Sequence, residues 1–223
     1  MKKALVLFSG GQDSTTCLYW ALREFSHVQA LGFDYGQRHA IELAQAKRIA
    51  EKAKTSFEVI DLNGLLGDSA LTNHDRVVDA AHPKNESLPA TFVPARNMLF
   101  LTVAGAYAHQ RDIFELVTGV CQTDFSGYPD CRRVFVDSME ASLSLAMEPK
   151  AFRIHTPLMF LDKADTFKLA DDLGILDVIL EDTHTDYNGD RSQRNEWGYG
   201  RLDNDASRLR ARGWEEFKRR YRS

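Results

Sequence analysis

The sequence predicts an α/β fold, a Rossmann-like doubly wound parallel sheet with covering helices. Three observations carry that reading: an apolar run near the N-terminus that breaks at two glycines, an amphipathic helical pattern directly after it, and a repeat of this strand–helix unit further on. Ala4 to Phe8 is continuous in apolar residues, as expected of a strand buried on both faces, and Ser9-Gly10-Gly11 ends it. From Asp13 the period turns helical, with Cys17, Leu18, Ala21 and Leu22 on one face. Val28 to Phe33 reads as a strand, Ala40 to Ala53 as a helix with Ile41, Ala44 and Ile49 inward, and Phe57 to Leu62 as a strand. From Gly64 to Thr91 the pattern fades into Gly, Asn, Asp, His and Pro, a connection long enough to predict a mobile, functional loop. Asn97 to His109 is alanine-rich and apolar, a buried helix, and Ile113 to Thr118 is the next strand. The loop Gly119 to Pro129 follows that strand's C-terminal end. Arg132 to Ala146 and Lys163 to Leu173 read as amphipathic helices on either side of a short strand at Phe152 to His155. After Glu181 the periodicity lapses until about Leu209, where a basic tail begins. The chain thus reads as a main domain over 1–180 and a C-terminal tail over 181–223 packed on the same domain.

Composition narrows the function classes. With 28 basic against 32 acidic residues the net charge is −4, which argues against a chain built to coat nucleic acid or an anionic membrane, so a small substrate is expected. The 3 cysteines, Cys17, Cys121 and Cys131, form no CxxC pair and supply neither a disulfide framework nor a cysteine zinc site. The apolar run at the N-terminus is too short for a signal peptide or a membrane span, and a cytoplasmic location is expected.

The segment Ser9-Gly10-Gly11-Gln12-Asp13-Ser14-Thr15 lies between a buried strand and a helix, where backbone N–H groups and the positive helix end form an anion site. Glycines permit positive φ and close approach, and the hydroxyls of Ser9, Ser14 and Thr15 add donors. The loop lacks the lysine of a Walker A motif and the GxGxxG spacing of a dinucleotide fold. Asp13 beside phosphates makes sense if it holds Mg2+ on a nucleoside triphosphate; the competing reading of Asp13 or Ser14 is a helix N-cap.

Ser9-Gly-Gly-Gln-Asp13-Ser-Thr-Thr16 resembles the SGGxDS signature of the PP-loop ATP pyrophosphatases, which cleave ATP between the α- and β-phosphates. The resemblance implies that Phe8 to Leu18, that is Phe8, Ser9, Gly10, Gly11, Gln12, Asp13, Ser14, Thr15, Thr16, Cys17 and Leu18, bind ATP. Phe33-Asp-Tyr-Gly-Gln-Arg-His39, Gly67 to Thr72, Val93-Pro-Ala-Arg-Asn97, Gly119 to Arg132, Thr156 to Leu158, Lys163 to Thr166 and Glu196 to Gly200 resemble, in order and over nearly the whole chain, the 7-cyano-7-deazaguanine synthase family of queuosine biosynthesis. What this implies is conversion of 7-carboxy-7-deazaguanine and ammonia to the 7-cyano product, with ATP and Mg2+ consumed through an acyl adenylate, an amide and an adenylated amide, by a homodimer. Lys163 and Arg96 are candidates for the α-phosphate and transferred charge, with surface roles as the alternative. In the Gly119 to Arg132 loop, Gln122, Asp124, Tyr128 and Asp130 lie where open sheets place ligands, Asp124 suiting the base edge and Tyr128 or Phe125 its flat face. Tyr35 and Arg38 are further candidates to face the substrate. Cys131 reads better as a buried hydrophobe than as a nucleophile.

The family's four zinc cysteines align with Asp186, Arg201, Asn204 and Ser207, so zinc is not expected. In its place an Asp186–Arg201 ion pair is expected, with Asn204 and Ser207 hydrogen-bonded nearby. Two other functions stay open: a relative that adenylates a related deazapurine carboxylate and stops at the amide, and a nucleotide-binding module without catalysis. A tRNA-modifying role is weakened by the net charge and by the lack of a catalytic cysteine pair; the basic tail reads instead as a solvated helix face or a subunit contact.

Overall fold

The computed structural model describes residues 2–36, 41–65, 81–82, 85–89, 93–123, 128–184 and 191–222. In chain order its elements are β1 (Lys3–Leu7), α1 (Gln12–Glu24), β2 (His27–Asp34), α2 (Ile41–Lys52), β3 (Ser56–Asp61), β4 (Ala81–His82), β5 (Asn85–Pro89), α3 (Arg96–His109), β6 (Glu115–Val117), α4 (Arg133–Ala146), β7 (Arg153–His155), α5 (Lys163–Asp172), α6 (Leu176–Asp182), β8 (Arg194–Asn195), β9 (Gly198–Tyr199) and α7 (Asp205–Tyr221), with a 3-10 turn at Pro129–Cys131.

The five-stranded sheet has the order β3-β2-β1-β6-β7, every neighbouring pair parallel. This is the doubly wound sheet predicted. Its strand direction of growth reverses between β1 and β6, and a crevice opens there at the C-terminal ends. Period-two alternation sorts side chains between two cores. Leu5, Leu31, Leu116 and Ile154 face α3 and α4 with Leu101, Val136 and Leu143. Ala4, Val6, Ala30 and Val117 face α1 and α2 with Cys17, Leu18 and Ile49.

The structure departs from expectation in four places. Ala44 of α2 is exposed, and Gln45, Ala46, Ile49 and Ala50 form the buried face. Part of 64–91 pairs as the antiparallel β4–β5, whereas the expected mobility concerns residues mostly outside those described. Helix α6 and the β8–β9 pair were not predicted. Helix α7 starts at Asp205, not near Leu209, because Asn204 caps it: its Oδ1 accepts from Ser207 N–H at 3.0 Å.

The tail is bound to the body through a third core. Trp214 and Phe217 pack with Phe167 of α5 at centroid distances of 5.2 and 6.0 Å, and Trp197, Ile175 and Ile179 complete the cluster. Arg210, fully buried in α7, donates from Nε to Trp197 O (2.9 Å), from Nη1 to Thr183 Oγ1 (2.9 Å) and from Nη2 to Ile179 O (2.7 Å). Several other basic residues of the tail are ion-paired within the chain: Arg220 with Asp162 and Glu216, Lys218 with Glu196 and Glu215, and Arg222 with Asp171. Much of the tail's charge is thus matched by intramolecular partners on an exposed, solvated helix face, as one of the two expected readings has it.

Candidate active site

A cavity of about 410 Å³ sits at the sheet's switch point. Its first wall is the glycine loop. Gly10 has φ +82°, and a Cβ there would lie 2.9 Å from Ala46 Cα of α2, so backbone conformation and helix approach both demand glycine. Ser14 Oγ accepts from Ser9 N–H and donates to Gly11 O, both at 3.2 Å, and lies 3.1 Å from Ser9 Oγ; these bonds hold the loop in shape. The N-cap of α1, Gly11, has no side chain to satisfy the helix's first N–H groups, which leaves this end electropositive toward the cavity. Gln12, only 3% exposed, lines the cavity, and its amide has no hydrogen-bond partner among the described residues. A buried amide without partners costs on the order of 1–3 kcal/mol, which a bound polar ligand would recover.

Lys163, the first residue of α5, reaches across to Asp13, and its Nζ donates to both carboxylate oxygens at 3.0 and 2.7 Å. Its side chain is 10% exposed. Asp162 starts α5 by accepting from Asp165 N–H at 2.9 Å, which places Lys163 at the cavity. Arg96, the first residue of α3, also lines the cavity. The residue before it, Ala95, has φ +59°, a strained conformation for a residue with a side chain, and it turns the chain so that α3 begins at the cavity rim. Asn97 N–H donates to Asp130 Oδ2 at 3.0 Å and its Nδ2 donates to Asp130 O at 3.2 Å, so Asp130 positions the start of α3.

The second wall is aromatic. Phe33 and Phe100 stack at 4.4 Å with planes 8° apart, Tyr35 lies 5.4 Å from Phe100, and Tyr128 completes the wall. Burial pushes the Tyr35 hydroxyl up, against the pull of Arg96. Burial, reinforced by Asp130, pushes the Cys131 thiol up to about 12, so it stays protonated and is a poor nucleophile.

The structure thus brings Phe8, Ser9, Gly10, Gly11, Gln12, Asp13, Ser14, Tyr35, Arg96, Tyr128 and Lys163 to one cavity. Thr15, Thr16, Cys17 and Leu18 of α1 are fully buried and do not line it; Thr16 Oγ1 donates to Gln12 O at 2.9 Å. Gln122 faces away, its Oε1 accepting from Arg133 N–H at 3.0 Å. Arg38, Asp124, Phe125 and Asp186 lie outside the described residues. Sequence reasoning missed Glu42, Ala206 and Leu209, which also line the cavity. The last two come from α7, and only tertiary docking brings them there.

Asp13 is the carboxylate beside the glycine loop that would hold a magnesium ion on substrate phosphates, a place where its two oxygens now meet the Lys163 ammonium. The aligned zinc positions do not suit zinc. Arg201 is a guanidinium that donates from Nη2 to Ser192 Oγ at 3.3 Å, and the Asn204 side-chain oxygen is engaged as the α7 cap. Of the expected arrangement, Asn204 is hydrogen-bonded as that cap, through the Ser207 backbone N–H, while the buried Ser207 hydroxyl has no hydrogen-bond partner among the described residues and Asp186 of the Asp186–Arg201 pair lies outside them.

The profile of the family described as queuosine biosynthesis protein QueC matches residues 3–218. A 7-cyano-7-deazaguanine synthase of Wolinella succinogenes is 48% identical over 218 residues, covering 96% of this chain and 93% of that protein. One from Polaromonas sp. is 50% identical over 227 residues, with 96% and 95% covered. Among solved structures, a 4-thiouridine synthetase–RNA complex with bound ATP is similar at a TM-score of 0.53 and 17% identity, covering 97% of this chain and 53% of that one, a likeness of fold alone. The architecture is that of the PP-loop ATP pyrophosphatases, and over nearly its whole length the chain belongs to the family of queuosine biosynthesis protein QueC.

Proposed function

We propose that this chain converts 7-carboxy-7-deazaguanine and ammonia to 7-cyano-7-deazaguanine in two adenylation steps, releasing AMP and pyrophosphate. The observation that carries the reading is one cavity with an electropositive helix end and an orphaned buried amide at one side and an aromatic wall at the other. That is the shape for a triphosphate next to a flat heterocycle. The 4-thiouridine synthetase of similar fold is described with bound ATP, which supports the nucleotide assignment.

The residues divide the work. The α1 N-terminus, Ser9 and Gln12 grip the β- and γ-phosphates, so pyrophosphate is held as the leaving group and the α-phosphorus stays open. Lys163, released from Asp13 as phosphate enters, follows the charge that develops on the α-phosphate. Mg2+ held by Asp13 would neutralise the pyrophosphate oxygens. Arg96 draws the substrate carboxylate, and the Phe33–Phe100 pair with Tyr35 and Tyr128 orients the deazapurine plane. The carboxylate oxygen attacks phosphorus first; ammonia then opens the acyl adenylate to the amide. The amide oxygen attacks the second ATP, and loss of AMP leaves the nitrile. Positioning and electrostatics supply most of the rate in such phosphorus chemistry. The same reading carries a zinc-free C-terminal segment and a cytoplasmic homodimer.

Incubation with ATP, Mg2+, ammonium and 7-carboxy-7-deazaguanine, followed by mass analysis of the base, tests the assignment. The nitrile is the expected product. A final amide would establish the truncated reaction instead, and pyrophosphate release that ignores the acid would overturn the assignment.

A further inference from the structure

Making a nitrile strips ammonia of all its protons. In the first half, the N–C bond forms as AMP leaves the acyl carbon with the bonding electrons, and the nitrogen gives up one proton. In the second, the amide oxygen bonds to phosphorus, pyrophosphate departs, and the nitrogen then loses its two remaining protons as the C–O bond breaks toward AMP. The roles assigned above include no acceptor for these protons.

We propose that Glu42 is that proton acceptor, its carboxylate taking protons from the nitrogen at the reacting carbon and handing them to solvent. The inference rests on the two-step adenylation reading. Glu42 sits in the first turn of α2 and lines the cavity together with Arg96 and Tyr35, beside which the substrate carboxylate is placed. It is half-buried.

Four other titratable groups of the cavity suit the task less well. Asp13 lies in the first turn of α1 beside the glycine loop, at the phosphate end, where it is assigned to Mg2+. Tyr35 and Cys131 are both pushed up and hold their protons at neutral pH. His184 stands beside Gly11, its carbonyl 3.6 Å from where a Gly11 Cβ would lie, at the phosphate end. Loss of water around Glu42 raises its carboxyl to about 7, the Arg96 guanidinium opposing, which matches a base working at neutral pH.

Glu42→Gln tests this, with the corresponding carboxamide supplied directly with ATP. Nitrile formation should fall about 10²- to 10⁴-fold, far more than acid-dependent pyrophosphate release measured without ammonium. The rise of the wild-type rate with pH should be lost in Glu42→Gln and partly restored in Glu42→Asp. An unchanged nitrile rate and pH profile, or an equal fall in both half-reactions, would overturn the proposal. Wild-type protein that releases no pyrophosphate with the acid would overturn the adenylation reading itself, and this inference with it.

Discussion

Replacing Gly213 by alanine asks whether α7 holds Lys163 in place. A Cβ built on Gly213 would lie 2.5 Å from Lys163 Cβ, 3.0 Å from its Cγ and 3.2 Å from its carbonyl carbon. Carbon atoms pack at roughly 3.5–4.0 Å, so the shortfall is about 1 Å at atoms close to the backbone, which cannot swing away. The clash pushes the start of α5 from α7, and the Lys163 Nζ, now 2.7 Å from Asp13, moves with it. Misplacing a catalytic group by ~1 Å costs about 10²-fold in rate. Stability should change much less: overpacking costs ~1–3 kcal/mol, but alanine recovers about 1 kcal/mol over glycine inside a helix, and no positive φ stands in the way. The net loss of ~0–2 kcal/mol is a fall in Tm of at most about 8 °C at this size. Acid-dependent pyrophosphate release and thermal unfolding, measured side by side, read the two effects, with exposed Arg212→Ala as the neutral control. Full activity in folded Gly213→Ala, or a rate that falls only with the unfolded fraction, would refute the reasoning.

Four further outcomes are expected. Lys163→Ala should lower pyrophosphate release about 10²- to 10³-fold while the chain remains folded, as loss of a transition-state charge partner does; steady-state kinetics and circular dichroism check it. Dialysis against a strong chelator should leave Tm within a degree or so, whereas Asn204→Ala, which removes the α7 cap, should cost about 1 kcal/mol, or ~2–4 °C by calorimetry. Glu42 holds its proton more tightly folded (about 7) than at its ordinary value of 4.5, so the stability this confers is complete below about 4.5 and is lost as pH rises through 7. Glu42→Gln, which does not titrate, should therefore gain on the wild type between pH 5 and pH 8 by ~1–2 kcal/mol, discounted for partial exposure, in urea unfolding curves.

The part of the site that could be read from sequence is the part made locally. Ser9 to Ser14 is a single turn between one strand and one helix, and its hydroxyl bonds and glycine conformation are short-range consequences of residue type. Asp13, Lys163 and Arg96 were found through motifs, yet the 150-residue separation of the Asp13–Lys163 pair is closed by the sheet topology. Gln122 and Asp130 show the converse. Polar residues in a loop at a strand end looked like ligand contacts, but their oxygens accept from the N–H groups of Arg133 and Asn97, the starts of two helices. Glu42 was missed because a glutamate in a first helical turn is ordinary by itself, and only the proximity of Arg96 and Tyr35 makes it chemically unusual.

The tail was misread for a related reason, and the correction ties its charge to the site. Ser207, Arg210, Trp214 and Phe217 form the buried face of α7 at helical spacing, but an arginine and a serine in that row interrupt the apolar period that marks a helix. A guanidinium survives there because it spans Trp197 O, Thr183 Oγ1 and Ile179 O, although burial lowers its pKa to about 9. Those bonds fix α7 against the end of α6, and Gly213 one turn on lets the same helix close on Lys163, while Ala206 and Leu209 form part of the cavity lining. Holding the C-terminal segment and shaping the cavity are thus one packing problem, and a polar anchor at Arg210 solves it through residues that do not suit zinc.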